Sequence, residues 1–219
     1  MAQFILDLGH RTAYGEADFL VAPCNETAVA WIDRWPAWPG PALALYGPAG
    51  CGKTHLAHVW QARAGASFIK REDLRTDSVP DLLGAASSVI LDDAEGVEEE
   101  ALLHLYNVVA ERGGSLLLTA TRAPAHWMVV LPDLRSRLLA AAAVPIAPPD
   151  DALLGGVLKK LFADRQLAVG EEVILFLLRQ MERSFEAARR VVRELDEAAL
   201  TEHRSITVPL ARRIFGAGT

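Results

Sequence analysis

The chain has 219 residues, 51% of them hydrophobic and 23% charged, with a formal net charge of −6. That hydrophobic share can bury a real core, while the acidic balance argues against a protein whose main task is coating nucleic acid, which needs a basic face. The two cysteines, Cys24 and Cys51, make no disulfide framework, and no apolar run reaches the ~18 residues of a membrane span, so a cytoplasmic protein with no membrane partner is expected.

Residues 1–41 read as irregular, with Trp31, Trp35 and Trp38 among prolines and glycines and one short helix over 27–34. A short apolar run over 42–46 ends at Gly47 and reads as a buried strand, followed by a helix over 53–64. Strands are expected over 67–70, over 89–91 with Asp92 and Asp93 at its end, over 115–121 and over 143–146. A helix over 98–112 carries Leu102, Leu105, Tyr106 and Val109 on one face and is stopped by Gly113 and Gly114. Strands alternating with helices imply a parallel sheet covered on both faces. Pro148 and Pro149 mark a boundary, beyond which three amphipathic stripes follow, led by Leu153, Val173 and Phe185. Residues 149–219 therefore read as a small helical domain.

Between the first strand and its helix lies Gly47-Pro48-Ala49-Gly50-Cys51-Gly52-Lys53-Thr54, which fits the spacing G-x-x-x-x-G-K-[ST]. Gly47, Gly50 and Gly52 let backbone N–H groups curl around phosphates, and the helix N-terminus adds partial positive charge. Lys53 is placed to reach the β- and γ-phosphates of ATP or ADP, and the Thr54 hydroxyl to bind Mg²⁺. Such a loop needs an acid to complete the metal site, and Asp92 stands at a strand's C-terminal end, where open parallel sheets place their ligands. Asp93 is the candidate to orient or deprotonate an attacking water, although paired acids also cap helices. Thr119 and Thr121 end the next strand, and either is placed to touch the γ-phosphate or the water.

With the loop, the acid pair and the helical segment together, the sequence resembles the AAA+ ATPases: an α/β P-loop fold with a five-stranded parallel sheet and a small C-terminal helical lid. More narrowly it resembles the DnaA-related group, over about residues 14–215. The run from Leu45 through Thr54, His55 and Leu56, with His58, looks like that group's nucleotide loop, which adds Cys51 and His55 to the nucleotide contacts. Asn25, after Phe19 and Val21, is similar to its adenine-side segment. Leu118-Thr119-Ala120-Thr121-Arg122 looks like its first sensor, with Thr121 where DnaA has an acid. Leu134-Arg135-Ser136-Arg137 resembles its arginine-finger segment, and Arg137 takes the finger position, pointing into a neighbour's ATP; Arg135 reads as a surface or partner contact.

The opening Gln3-Phe4-Ile5-Leu6-Asp7-Leu8 is similar to the short peptides that bind the sliding clamp of DNA polymerase. In an extended segment Leu6, Leu8 and Phe4 would lie on one side, with Gln3 at the pocket's mouth. This combination resembles the Hda family of DnaA-related regulators, which switch the initiator off. The resemblance implies three parts: a clamp-binding peptide over 1–12, a nucleotide-binding domain over 13–148 and a lid over 149–219. It implies DnaA and the clamp as partners and hydrolysis activated in trans, leaves self-association open, and leaves no room for DnaA's helix-turn-helix domain that reads origin DNA. The lid departs from the pattern. Its second-sensor arginine position falls on Glu186, with Arg189 and Arg190 about one turn later. An autonomous ATPase, favoured by Asp92 and Asp93, and an adaptor that does not stimulate hydrolysis are the rival readings.

Overall fold

Strand β1, Ala42–Tyr46, lies between β4 and β5 in a five-stranded parallel sheet whose order is β2-β3-β4-β1-β5. The other strands are β2 Ser67–Lys70, β3 Val89–Asp92, β4 Leu116–Ala120 and β5 Ala142–Pro145. The computed structural model describes residues 21–202 and 204–216, so the clamp-peptide residues Gln3, Phe4, Leu6 and Leu8, and Phe19, lie outside the described residues. The chain divides into two units, one ending at Ala147 and the other beginning at Pro148.

Side chains of each strand alternate between the two faces of the sheet, so each face builds its own core. On one face Ala42, Ala44, Val89, Leu91, Leu116 and Leu118 pack with residues of α3 Val79–Leu83, α4 Glu99–Glu111 and α5 Pro132–Ala140. On the other, Leu43, Leu45, Ile90, Leu117 and Val144 meet α1 Glu26–Asp33 and α2 Lys53–Ala64. The tryptophan-rich segment after α1 is ordered by α2. Trp38 stacks on buried Trp60 with ring centroids 5.3 Å apart, and Trp35 meets Trp60 edge-on at 5.9 Å. Trp38 Nε1 donates to the Trp31 carbonyl and Trp35 Nε1 to Ser115 Oγ, which gives both indoles a polar partner.

The second unit is helical: α6 Asp151–Asp164, α7 Glu171–Gln180, α8 Phe185–Glu202 and α9 Val208–Phe215. Asp150 caps α6, accepting from the Leu153 N–H at 2.8 Å. Leu154, Leu158, Phe162, Val173, Leu177, Val192, Leu195 and Leu210 form its core. The stripes expected for α6 to α8 all bury residues there, while α9 had no counterpart in the sequence reading. Pro209 looks like a break, yet it stands in the helix's first turn, where a missing N–H costs nothing. No helix of the described residues is long and apolar enough to cross a membrane.

Candidate functional site

The loop between β1 and α2 is shaped by two glycines with distinct reasons. A Cβ on Gly47 would overlap the carbonyl oxygen of Ile146, so only glycine lets the chain leave β1 this close to the end of β5. Gly52 has φ 104 at the start of α2, a left-handed conformation that side chains disfavour. Leu56 N–H then bonds the Gly52 carbonyl, closing the first turn of α2. The amides of that turn face the loop, as a helix N-terminus requires.

Lys53 binds the loop together. Its Nζ donates to the carbonyls of Gly47 at 2.8 Å and Pro48 at 2.9 Å, with Cys51 Sγ at 3.9 Å. Cys51 is buried; burial pushes its thiol pKa up, and the Lys53 ammonium pulls the other way. His55 follows in α2, half-buried.

The first turn of α2 and the end of β4 converge on Asp92 at the end of β3. Thr54 Oγ1 lies 3.1 and 3.3 Å from its two carboxylate oxygens, and Thr119 Oγ1 donates to Oδ1 at 2.6 Å. The same Thr119 hydroxyl accepts from the Asp93 N–H at 2.9 Å. Strand order explains this, because β4 lies between β1 and β3 and Thr119 sits across from Leu45. The arrangement is a hydroxyl and a carboxylate, both hard oxygen donors, beside a phosphate-type loop. No group of three or more His, Cys, Asp or Glu among the described residues could hold a metal by itself. The Thr54 hydroxyl and the Asp92 carboxylate are the kind of oxygen donors that suit Mg²⁺, a cation that keeps few protein ligands and shares phosphate oxygens.

Asp93, Glu95 and Glu99 reach elsewhere. Asp93, at φ 57, directs its carboxylate to Arg71, whose Nη1 is 3.3 Å away. Glu95 accepts from Thr121 Oγ1 at 2.8 Å and from Arg122 Nε at 2.8 Å. The Arg122 hydrogen bonds hold the Glu95 carboxyl below its ordinary range. Thus Thr119 meets Asp92, whereas Thr121 meets Glu95. Glu99, in the first turn of α4, accepts from the backbone N–H groups of Val130 and Leu131. Asn25 is buried before α1, and its Oδ1 accepts from the Ala22 N–H at 2.9 Å.

Arg137 lies on α5, half-buried, with its guanidinium carbon 5.3 Å from the ring centroid of Tyr106 on α4. Arg135 is exposed on the same helix. In the helical unit Glu186, Arg189 and Arg190 are all exposed on α8. Sequence reading missed Arg71, Glu95, Glu99 and Tyr106 as partners; the dense acidic run from Asp92 to Glu100 was the signal, but not what each acid would touch.

Comparison with known proteins adds to this geometry. Residues 154–215 match the family described as Hda, lid domain. The structure is similar to domain III of the Thermotoga maritima replication initiation protein DnaA, at 18% identity and TM-score 0.76, covering 90% of this chain and 93% of that one. The C-terminal helices thus match an Hda lid, and the chain shares the fold of DnaA domain III. The chain is also similar to AMPPCP-bound DnaA from Aquifex aeolicus, at 19% identity and TM-score 0.68, covering 81% of this chain and 63% of that one. A Thermotoga maritima RuvB mutant shares the fold at 14% identity and TM-score 0.70, covering 87% of this chain and 66% of that one. The chain thus spans less than two thirds of the Aquifex DnaA chain.

Proposed function

We propose that this chain is a nucleotide-holding negative regulator of replication initiation, which docks on the DNA-loaded sliding clamp and stimulates hydrolysis of the ATP carried by DnaA. The observation that carries the reading is the Hda lid match over 154–215. In its own loop the chain holds ATP or ADP through Gly47, Gly50, Cys51, Gly52, Lys53, Thr54 and His55, with Asn25 on the adenine side and Thr121 near the phosphates. DnaA structures of this fold hold AMPPCP, an ATP analogue, which supports the adenine nucleotide. Thr54 and Asp92 would hold Mg²⁺, which supplies charge neutralisation of phosphate oxygens. Gln3, Phe4, Leu6 and Leu8 dock on the clamp and concentrate the chain beside the initiator.

Arg137 then serves as a finger in trans. In DnaA's ATP a water oxygen bonds to the γ-phosphorus, the bond from that phosphorus to the bridging oxygen breaks, and ADP and phosphate leave with the water's proton released. A guanidinium beside the γ-phosphate stabilises the charge on the transferring group, worth roughly 10³–10⁵ in rate. The test is single turnover of labelled ATP on DnaA, with clamp and DNA present. The unaltered chain accelerates decay and Arg137→Ala does not; equal acceleration by both would show that the finger role is wrong. A pull-down of clamp with Gln3→Ala and Leu6→Ala tests docking separately.

One observation favours a second reading, an autonomous ATPase. The Thr54–Asp92–Thr119 constellation is intact, with Asp93 beside it as a candidate base. Robust steady-state turnover by the isolated chain, lost in Asp93→Asn, would support that alternative.

A further inference from the structure

Helix α5, which carries Arg137, begins without a cap of its own. Leu131 precedes it and offers no side-chain acceptor, and Pro132 opens it without an N–H. The acceptor comes from another helix. Glu99 Oε1 takes the Val130 N–H at 2.8 Å, and Oε2 takes the Val130 and Leu131 N–H groups at 3.1 and 2.7 Å. Two charge-assisted bonds onto adjacent amides fix both the place and the direction in which the chain enters α5. The carboxylate also lies at the positive end of that helix.

A second hold comes from the same face of α4. Tyr106 is seven residues, or two turns, beyond Glu99, so both side chains project toward α5. Tyr106 is buried, and its ring lies under the Arg137 guanidinium with 5.3 Å from centroid to carbon. An arginine otherwise samples many rotamers, and a ring face removes most of that freedom. The segment leading in is anchored as well: Trp127, Val129 and Leu131 pack against the core of this face, and Trp127 Nε1 donates to the Arg122 carbonyl at 2.9 Å.

We propose that Glu99 and Tyr106 are positioning residues for Arg137: α4 holds the start of α5 through one and the finger's side chain through the other, and so sets where the guanidinium is presented to a partner's nucleotide. This rests on the finger reading given above. A positioning role differs from a purely structural one in what it changes. On that reading docking rests on Gln3, Phe4, Leu6 and Leu8, so loss of either positioning residue lowers the rate within the complex and leaves the concentration needed to form it alone.

The experiment is single turnover of ATP held by DnaA, with clamp-loaded DNA, over a titration of each variant. Glu99→Ala and Tyr106→Leu lower the rate at saturation by about 10- to 100-fold, the scale on which a misplaced catalytic group slows a reaction. The half-saturating concentration stays within about twofold of the unaltered chain's, the arithmetic of unchanged binding free energy. Tyr106→Phe keeps the ring face and the rate, and Glu99→Gln, which keeps one acceptor oxygen, falls between. Unchanged saturating rates in Glu99→Ala and Tyr106→Leu would overturn the proposal, as would a Tyr106→Phe defect equal to that of Tyr106→Leu. No acceleration by the unaltered chain would instead overturn the functional reading, and this proposal with it. Should Tyr106→Leu fail to fold, the contact is read from phenol titration, with Tyr106→Phe to assign the signal. Burial raises the Tyr106 pKa and Arg137 opposes that rise, so Arg137→Gln raises it further if the two groups meet. No change there, with a normal rate in Glu99→Ala, would also refute the proposal.

Discussion

The hydroxyl of Thr119 donates to the Asp92 carboxylate over 2.6 Å while accepting from the Asp93 N–H. Thr119 itself is buried, 1% exposed, beneath half-buried Asp92 and exposed Asp93. Thr119→Val keeps the shape but leaves a carboxylate oxygen and an amide without that partner, at a cost of about 1–3 kcal/mol. Thr121 is exposed, so Thr121→Val costs within about 0.5 kcal/mol. Urea unfolding of the two variants checks the contrast, and equal losses would contradict it.

Lys53 is expected to matter to the loop as well as to a ligand, because its ammonium already bridges the Gly47 and Pro48 carbonyls. Lys53→Ala removes charge-assisted hydrogen bonds of about 1.5–3 kcal/mol each, so ADP and ATP affinity falls by at least about tenfold. Calorimetry in magnesium buffer measures it. Unchanged affinity in Lys53→Ala would remove the phosphate role from this loop.

Two glycines separate crowding from backbone strain. Gly65 ends α2 at φ 59 with open space where a Cβ would go, so Gly65→Ala costs about 1 kcal/mol from its left-handed conformation. Gly47→Ala must push the Ile146 carbonyl aside and costs about 1–3 kcal/mol from overpacking, together with distortion of the phosphate loop. Thermal melting paired with nucleotide binding distinguishes them: Gly65→Ala loses stability only, while Gly47→Ala loses both.

The Glu95–Arg122 pair gives a pH signature. Hydrogen bonds from Arg122 and Thr121 lower the Glu95 pKa from its ordinary 4.5. A carboxyl whose folded pKa is depressed contributes stability that is fully present above the ordinary value and disappears as pH falls through the folded value. Glu95→Gln therefore reduces stability at neutral pH and matches the unaltered chain well below pH 4.5, so its acid limb is shallower. Chemical unfolding across that window tests the sign.

Several features were legible because they are local. The strand–loop–helix around Lys53 follows from an apolar run, a glycine pattern and a helix start, and the loop's residues are neighbours in sequence. The helical stripes of 153–162, 173–181 and 185–199 were legible for the same reason, since periodicity is written along one segment. The short helix α3 was not, because five residues carry too little periodic signal. Helix α9 was obscured by Pro209, whose effect depends on which turn of a helix it occupies.

The sequence by itself determined that Lys53 and Thr54 begin a helix after a glycine loop, and that Asp92 ends a buried strand. It left open whether Thr119 or Thr121 would join them, and it did not connect Glu99 or Tyr106 with Arg137. The tertiary structure decided those points. Placing β4 between β1 and β3 brings Thr119 onto Asp92 and leaves Thr121 to Glu95. Packing α4 against α5 brings Glu99 to the Val130 and Leu131 amides and Tyr106 under Arg137. The physical reason is that propensity and periodicity act within one element, whereas hydrogen bonds between strand ends and helix faces depend on strand order, which a parallel sheet sets through long crossovers.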